Sequence, residues 1–128
     1  MAQVAALTGD AELFKVCETL FDDIVEKKMY ITGGMGSTAF GEAFENAYTL
    51  PIDTAYAETC AAIAPVFFIR DLENLTGNSR YIDTVERVLY NCIFAGISLS
   101  GDNFFYANLL EVGPRRLDQG VTLVERAP

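Results

Sequence analysis

The sequence contains no histidine and no tryptophan. Without histidine there is no Ser-His-Asp triad, no Cys-His pair and no histidine-bearing zinc site within these residues. Any chemistry rests on carboxylates, thiols, phenols and hydroxyls. Basic residues are scarce, 9 against 18 acidic, giving a net charge of −9. Such a surface cannot replace the counterions of a phosphate backbone, so nucleic acid is excluded as a partner. Long apolar runs are absent too. The longest, Ala61 to Ile69, is broken by Pro65 and falls well short of the ~20 residues a bilayer span needs. No membrane partner is expected. Cysteine numbers only 3, an odd count that describes no disulfide framework and suits a reducing compartment. The N-terminus lacks the basic and apolar regions of a signal peptide, so the expected location is cytoplasmic unless a signal has already been removed.

What is present fits one small domain: 128 residues, of which 51% are hydrophobic and 21% charged, enough apolar material for a packed core. Three stretches carry helical periodicity. The first opens at Asp10, a suitable N-cap, and repeats Leu13, Phe14, Cys17, Leu20, Phe21, Ile24 and Val25 before Lys27-Lys28. The second is predicted from Asp53-Thr54 to Leu75, closed by Thr76-Gly77-Asn78. It is apolar nearly all round, which implies burial on every side, and Pro65 is expected to kink it. The third runs from Ser79 to about Ile97 with Ile82, Val85, Leu89, Cys92, Ile93 and Gly96 on its apolar face. Val4-Ala5-Ala6-Leu7 reads as the end of another helix. A long glycine- and aromatic-rich loop occupies Met29 to Ile52, and Ser98 to Tyr106 reads as a hairpin turning at Ser100-Gly101-Asp102. From Gly113 to Pro128 there is no clear period. The fold class is all-α, mainly helical with a small β-hairpin. Two helices and a hairpin supply too few neighbours for the second helix, so the sequence reads as a piece of something larger.

Residue chemistry narrows the candidates without deciding them. Gly33-Gly34-Met35-Gly36-Ser37-Thr38 suggests a phosphate loop, but it lacks the lysine and the spacing of one. Glu42, between small and aromatic residues, is either an exposed loop carboxylate, the commoner case, or a general acid. Glu58 and Cys60 are both legitimate zinc ligands. Within a regular helix, positions i and i+2 lie about 200° apart, so the two converge only if the helix begins irregularly there. The alternative for Cys60 is a buried core thiol, which is also the reading for Cys17 and Cys92. Tyr106 alone in Phe104-Phe105-Tyr106 has a polar tip. Asn74-Leu75-Thr76 matches a glycosylation sequon, weakly.

Several blocks agree at once with a known family. Met29-Tyr30-Ile31-Thr32-Gly33-Gly34-Met35-Gly36-Ser37, Gly41-Glu42-Ala43-Phe44, Leu50 through Ile63 with Glu58-Thr59-Cys60, Leu89-Tyr90-Asn91, Gly96-Ile97-Ser98-Leu99, and Phe104-Phe105-Tyr106 with Asn108 and Leu110-Glu111 resemble glycoside hydrolase family 127, the β-L-arabinofuranosidases. The resemblance covers about residues 4–111, in order, and leaves residues 112–128 unassigned.

The resemblance implies that residues 1–128 form a single partial domain, a fragment of an (α/α)6 barrel. It implies a retaining mechanism with a zinc-held cysteine nucleophile and a glutamate acid/base. It assigns Glu42 as acid/base, Glu58 and Cys60 as two zinc ligands, and Tyr106 as a residue lining the sugar pocket. It also implies an L-arabinofuranoside-type carbohydrate as the substrate of the intact family. The family's nucleophile belongs to an adjacent cysteine pair beyond a Trp-Phe element, and this sequence has neither tryptophan nor adjacent cysteines. The expectation is therefore a truncated product, inactive alone, with zinc weakly bound or absent. A competing reading is a helical interaction module without catalysis. On either reading the apolar second helix predicts a homo-oligomer that buries Val66, Phe67, Phe68 or Ile69.

Overall fold

The computed structural model describes residues 1–111 and the backbone of Glu125–Arg126. Four α-helices appear in order: α1 (Ala2–Thr8), α2 (Ala11–Asp23), α3 (Thr59–Thr76) and α4 (Ser79–Val88). Two short strands follow, β1 (Asn103–Phe104) and β2 (Glu125–Arg126), paired antiparallel with Asn103 opposite Arg126. The molecule is mainly helical, as the periodicity indicates. Among the described residues no helix is long and apolar enough to cross a membrane.

The helix ends follow local chemistry. Asp10 caps α2, its carboxylate accepting from the Leu13 amide at 3.0 Å. Gly9 and Gly77 close α1 and α3 in the left-handed conformation, at φ 69° and 65°. Asn78 caps α4 by accepting from the Arg80 amide at 3.1 Å. Beyond α2 the helix widens into a π turn over Ile24–Lys28. Beyond α4 it does so over Leu89–Ile93, then tightens to 3-10 winding over Phe94–Gly96.

One core cluster joins three helices to α1: Ala2, Cys17, Phe21, Ile69, Leu72 and Tyr81. Phe21 and Tyr81 meet edge to face with centroids 4.8 Å apart. The Arg80 guanidinium lies over both rings, at 5.0 and 4.8 Å. The Tyr81 hydroxyl donates to Glu18 at 3.2 Å. A second cluster, Met29, Met35, Ala62, Val88 and Cys92, seats the long loop against α3 and α4. Cys17 and Cys92 are core thiols, as their apolar stripes suggest.

Three sequence expectations are corrected. Helix α3 starts at Thr59 instead of Asp53-Thr54, because Ala57 sits at φ 41° and Glu58 is extended. Long-range backbone bonds win over helix there: the Tyr56 and Ala57 amides both donate to the Gly36 carbonyl, at 3.2 and 2.9 Å. Helix α3 is not covered on every side. Ala62, Pro65, Ile69 and Leu72 are buried, while Phe67 is 69% and Ile63 37% exposed. The helix continues through Pro65, whose missing N–H leaves the Ala61 carbonyl without its helical donor.

The third correction concerns α4, which buries Tyr81, Thr84 and Val88 and leaves Ile82 41% exposed. Its rotation is set by close approach. A Cβ on Gly33, at φ 88°, would lie 2.7 Å from the Val88 Cα, so only glycine lets the loop press on that turn.

The remaining segments match their sequence signals more closely. The residues from Gly33 to Ser37 are buried, which makes that run a packing element and no phosphate cradle. The hairpin forms as read, with the Ser98 amide donating to Asn103 and the Gly101 amide to Ser98, both at 2.9 Å. Of the segment 112–128, all but Glu125–Arg126 lies outside the described residues.

Leu72→Ala should cost about 2–5 kcal/mol in urea denaturation, since the side chain is fully buried. Ile82→Ala should stay within about 0.5 kcal/mol. Equal losses would mean that α4 is rotated toward the face read from the sequence.

Candidate functional site

The segment before α3 and the segment after the hairpin are sewn together. The Thr59 amide donates to the Tyr106 carbonyl at 2.8 Å and the Asn108 amide to the Ala57 carbonyl at 3.0 Å. An antiparallel bridge pairs Glu58 with Ala107. The Thr59 hydroxyl donates to the Phe105 carbonyl at 2.6 Å. Glu58 therefore stands just outside the helix, at its N-cap position, with φ −66° and ψ 152°. This is the irregular start that convergence with Cys60 requires. The Cys60 thiol donates to Glu58 Oε1 at 2.5 Å.

Two phenols complete the cluster. The rings of Tyr56 and Tyr106 lie 6.2 Å apart at 59°. The Tyr106 hydroxyl is pushed far above the usual phenol range, first by hydrogen bonding with Tyr56, then by Glu58. Tyr56 is raised as well, mainly by burial, and the carboxylates of Glu58 and Glu42 contribute. Cys60 is exposed and so is no buried core thiol. Partial desolvation pushes its thiol up, and the hydrogen bond to Glu58 adds to that. All of these shifts hold the protonated forms, as expected where acidic groups crowd one place.

Glu42 lies on the long loop. It ends the 3-10 turn Phe40–Glu42 at φ 48° and is exposed. Residues off glycine in that backbone region concentrate at functional sites. The structure thus gathers Glu58, Cys60 and Tyr106; among the described residues no side-chain hydrogen bond or ion pair joins Glu42 to them, and its one link is a minor electrostatic influence on Tyr56. Sequence reasoning missed Tyr56. Its only signal was position, two residues ahead of Glu58 in a segment read as helix.

The donor set suits a zinc ion in part. A carboxylate and a thiol converge, and Glu58 Oε2 is buried with no hydrogen-bond partner, an acceptor left for something to fill. The described residues hold no group of three or more possible ligands, so they provide two donors where zinc takes four.

Residues 1–127 match the family described as β-L-arabinofuranosidase, GH127 catalytic domain. The chain belongs to this family. A non-reducing end β-L-arabinofuranosidase of Bifidobacterium longum subsp. longum is 42% identical over 118 residues, 92% of this chain and 18% of that protein. The structure of a GH127 β-L-arabinofuranosidase from Geobacillus stearothermophilus T6 superposes with a TM-score of 0.88 at 48% identity, covering 94% of this chain and 19% of that one. A GH127 β-arabinofuranosidase structure superposes with a TM-score of 0.82 at 51% identity, over 86% of this chain and 17% of that one. The chain spans about a fifth of the length of these GH127 relatives, as a helical fragment of the catalytic domain.

Within such a fragment the orphaned Glu58 oxygen is a cost, since an unpaired buried acceptor forfeits about 1–3 kcal/mol. Glu58→Met should leave the melting temperature of the metal-free chain unchanged or higher. A fall of more than about 5 °C, the order of 1 kcal/mol for a domain this size, would make the carboxylate a structural element.

Proposed function

We propose that the chain carries the acid/base and part of the metal site of a retaining β-L-arabinofuranosidase. The observation that supports this most directly is the convergence of Glu58, Cys60 and Tyr106 with one Glu58 oxygen left unpartnered. Glu58 and Cys60 would hold zinc, which when bound supplies a Lewis acid able to keep a thiol as thiolate. Glu42 protonates the leaving oxygen and later takes a proton from water. Its exposed turn gives it room to reach an oxygen that lies outside the Glu58–Cys60 pair. Tyr106, held protonated, presents a hydroxyl to the sugar.

None of the chain's own thiols suits the role of nucleophile. Cys17 and Cys92 are 0% and 2% exposed, and Cys60 is engaged as a ligand. The chain by itself is then inactive and binds zinc weakly, through two donors. Its partner is an L-arabinofuranoside-type carbohydrate, with neither nucleic acid nor membrane favoured by a net charge of −9. Three free cysteines support a cytoplasmic, reducing location.

The chain should show no hydrolysis of an aryl β-L-arabinofuranoside above background. Turnover that disappears in Glu42→Gln would overturn the inactivity and make Cys60 the first candidate nucleophile.

A second reading, self-association without catalysis, draws on the exposed face of α3. Of the residues expected at such a contact, Ile69 is buried, and Val66 and Phe68 pack against the chain's own core. Phe67, with Ile63 one turn away, remains. On this reading the chain is a homo-oligomer through Phe67, and Phe67→Asp should dissociate it in sedimentation velocity because the buried charge finds no partner. A wild-type monomer at high micromolar concentration would refute it.

A further inference from the structure

The hydrogen bonds around Glu58 converge on a residue to which the reading above gives no role. Asn108 donates through its side-chain Nδ2 to the Ala57 carbonyl at 3.2 Å and to the Thr59 hydroxyl at 3.0 Å. Its backbone amide reaches the same Ala57 carbonyl at 3.0 Å. A primary amide has two protons to give, and both are spent on the neighbours of Glu58, one on each side. The Thr59 hydroxyl passes its own proton on to the Phe105 carbonyl. The acceptor side of the Asn108 amide faces Gly96, where an added Cβ would lie 2.7 Å from Oδ1. A reversed amide would set its oxygen against the Ala57 carbonyl, so only one orientation is satisfied.

Two costly features sit inside this grip. Ala57 is a non-glycine residue at φ 41°, a conformation that persists only where the surroundings over-determine it. Glu58 Oε2 is a buried acceptor with no partner, which a free segment would relieve by turning toward water. Both relax together if residues 57–59 shift. What prevents the shift is the set of bonds from Asn108, together with the Gly36 carbonyl that accepts from the Ala57 amide at 2.9 Å and the Tyr106 carbonyl that accepts from the Thr59 amide at 2.8 Å.

We infer that Asn108 is a positioning residue, holding the backbone on both sides of Glu58 so that its carboxylate stays aimed at the metal position beside Cys60. The inference rests on the reading of Glu58 and Cys60 as metal ligands. Partners behind a ligand commonly govern metal affinity by 10- to 100-fold, through orientation.

The test uses the whole 128-residue chain with Co²⁺ as the probe. Cobalt added to the wild type should give a thiolate-to-cobalt charge-transfer band that Cys60→Ser abolishes. Asn108→Ala should weaken cobalt binding by about 10-fold or more. Amide exchange at Ala57 and Thr59 should accelerate while that of Leu72 in the core is unchanged. Thr59→Val, which removes one of the two acceptors of the Asn108 amide along with the hydroxyl's bond to the Phe105 carbonyl, serves if Asn108→Ala fails to fold. It should weaken cobalt binding, and Thr59→Ser, which keeps both bonds, should bind as the wild type does. Uniformly faster exchange, or cobalt affinity unchanged in both Asn108→Ala and Thr59→Val, would overturn the role. If the wild type gives no Cys60-dependent band, the ligand reading itself fails. Exchange alone then decides whether Asn108 clamps the segment: local acceleration supports it and uniform acceleration refutes it.

Discussion

Everything at the candidate site depends on the seam between residues 57–59 and 105–108. Its backbone bonds stop the long loop, start α3 at Thr59 and place Glu58 outside the helix. A helix begun one turn earlier would set Glu58 and Cys60 on different sides, because alternate helical residues diverge by about 200°. The chemistry of the pair is thus a property of where the helix does not form. Local propensity has little say in that, since the decisive partners are Gly36, Tyr106 and Asn108.

Legibility in the sequence follows the range of the forces involved. The start of α2 at Asp10 and the end of α3 at Gly77 were readable because caps are short-range: an aspartate three residues from its amide, a glycine at positive φ. The hairpin turn at Gly101 was readable for the same reason. The start of α3 was not, because nothing within Asp53 to Glu58 announces that Gly36 will take its amides. The buried face of α4 was misjudged at Ile82 because apolarity alone was weighed. Tyr81, with more surface to bury and a hydroxyl that finds Glu18, wins the inward position. Glu58 and Cys60 were named from resemblance, their residue types alone leaving them open. Tyr56 stayed hidden inside a segment taken for helix.

The exposed apolar side chains have a consistent explanation in the extent of the match. Phe67, Leu99 and Leu7 are 69%, 110% and 88% exposed. The chain corresponds to 19% of the length of the Geobacillus stearothermophilus structure. Helices of a closed bundle need apolar residues on two faces, one for each neighbour. The inner face of α3 closes the core seen here, with Ala62, Pro65, Ile69 and Leu72, while Phe67 and Ile63 stand on its other face.

The seam is made of contacts distant along the chain. The Asn108 amide meets partners 51 and 49 residues away, whereas the helices close on bonds four residues apart. Loops of that length form slowly because chain entropy is lost before any bond repays it. The helical core depends on contacts just as distant, such as Tyr81 with Glu18 across 63 residues, so the seam and the core face loop closures of the same order and neither is the cheaper to form first. On warming, the pairing of Glu58 with Cys60 should therefore be lost together with the helices, in one cooperative transition.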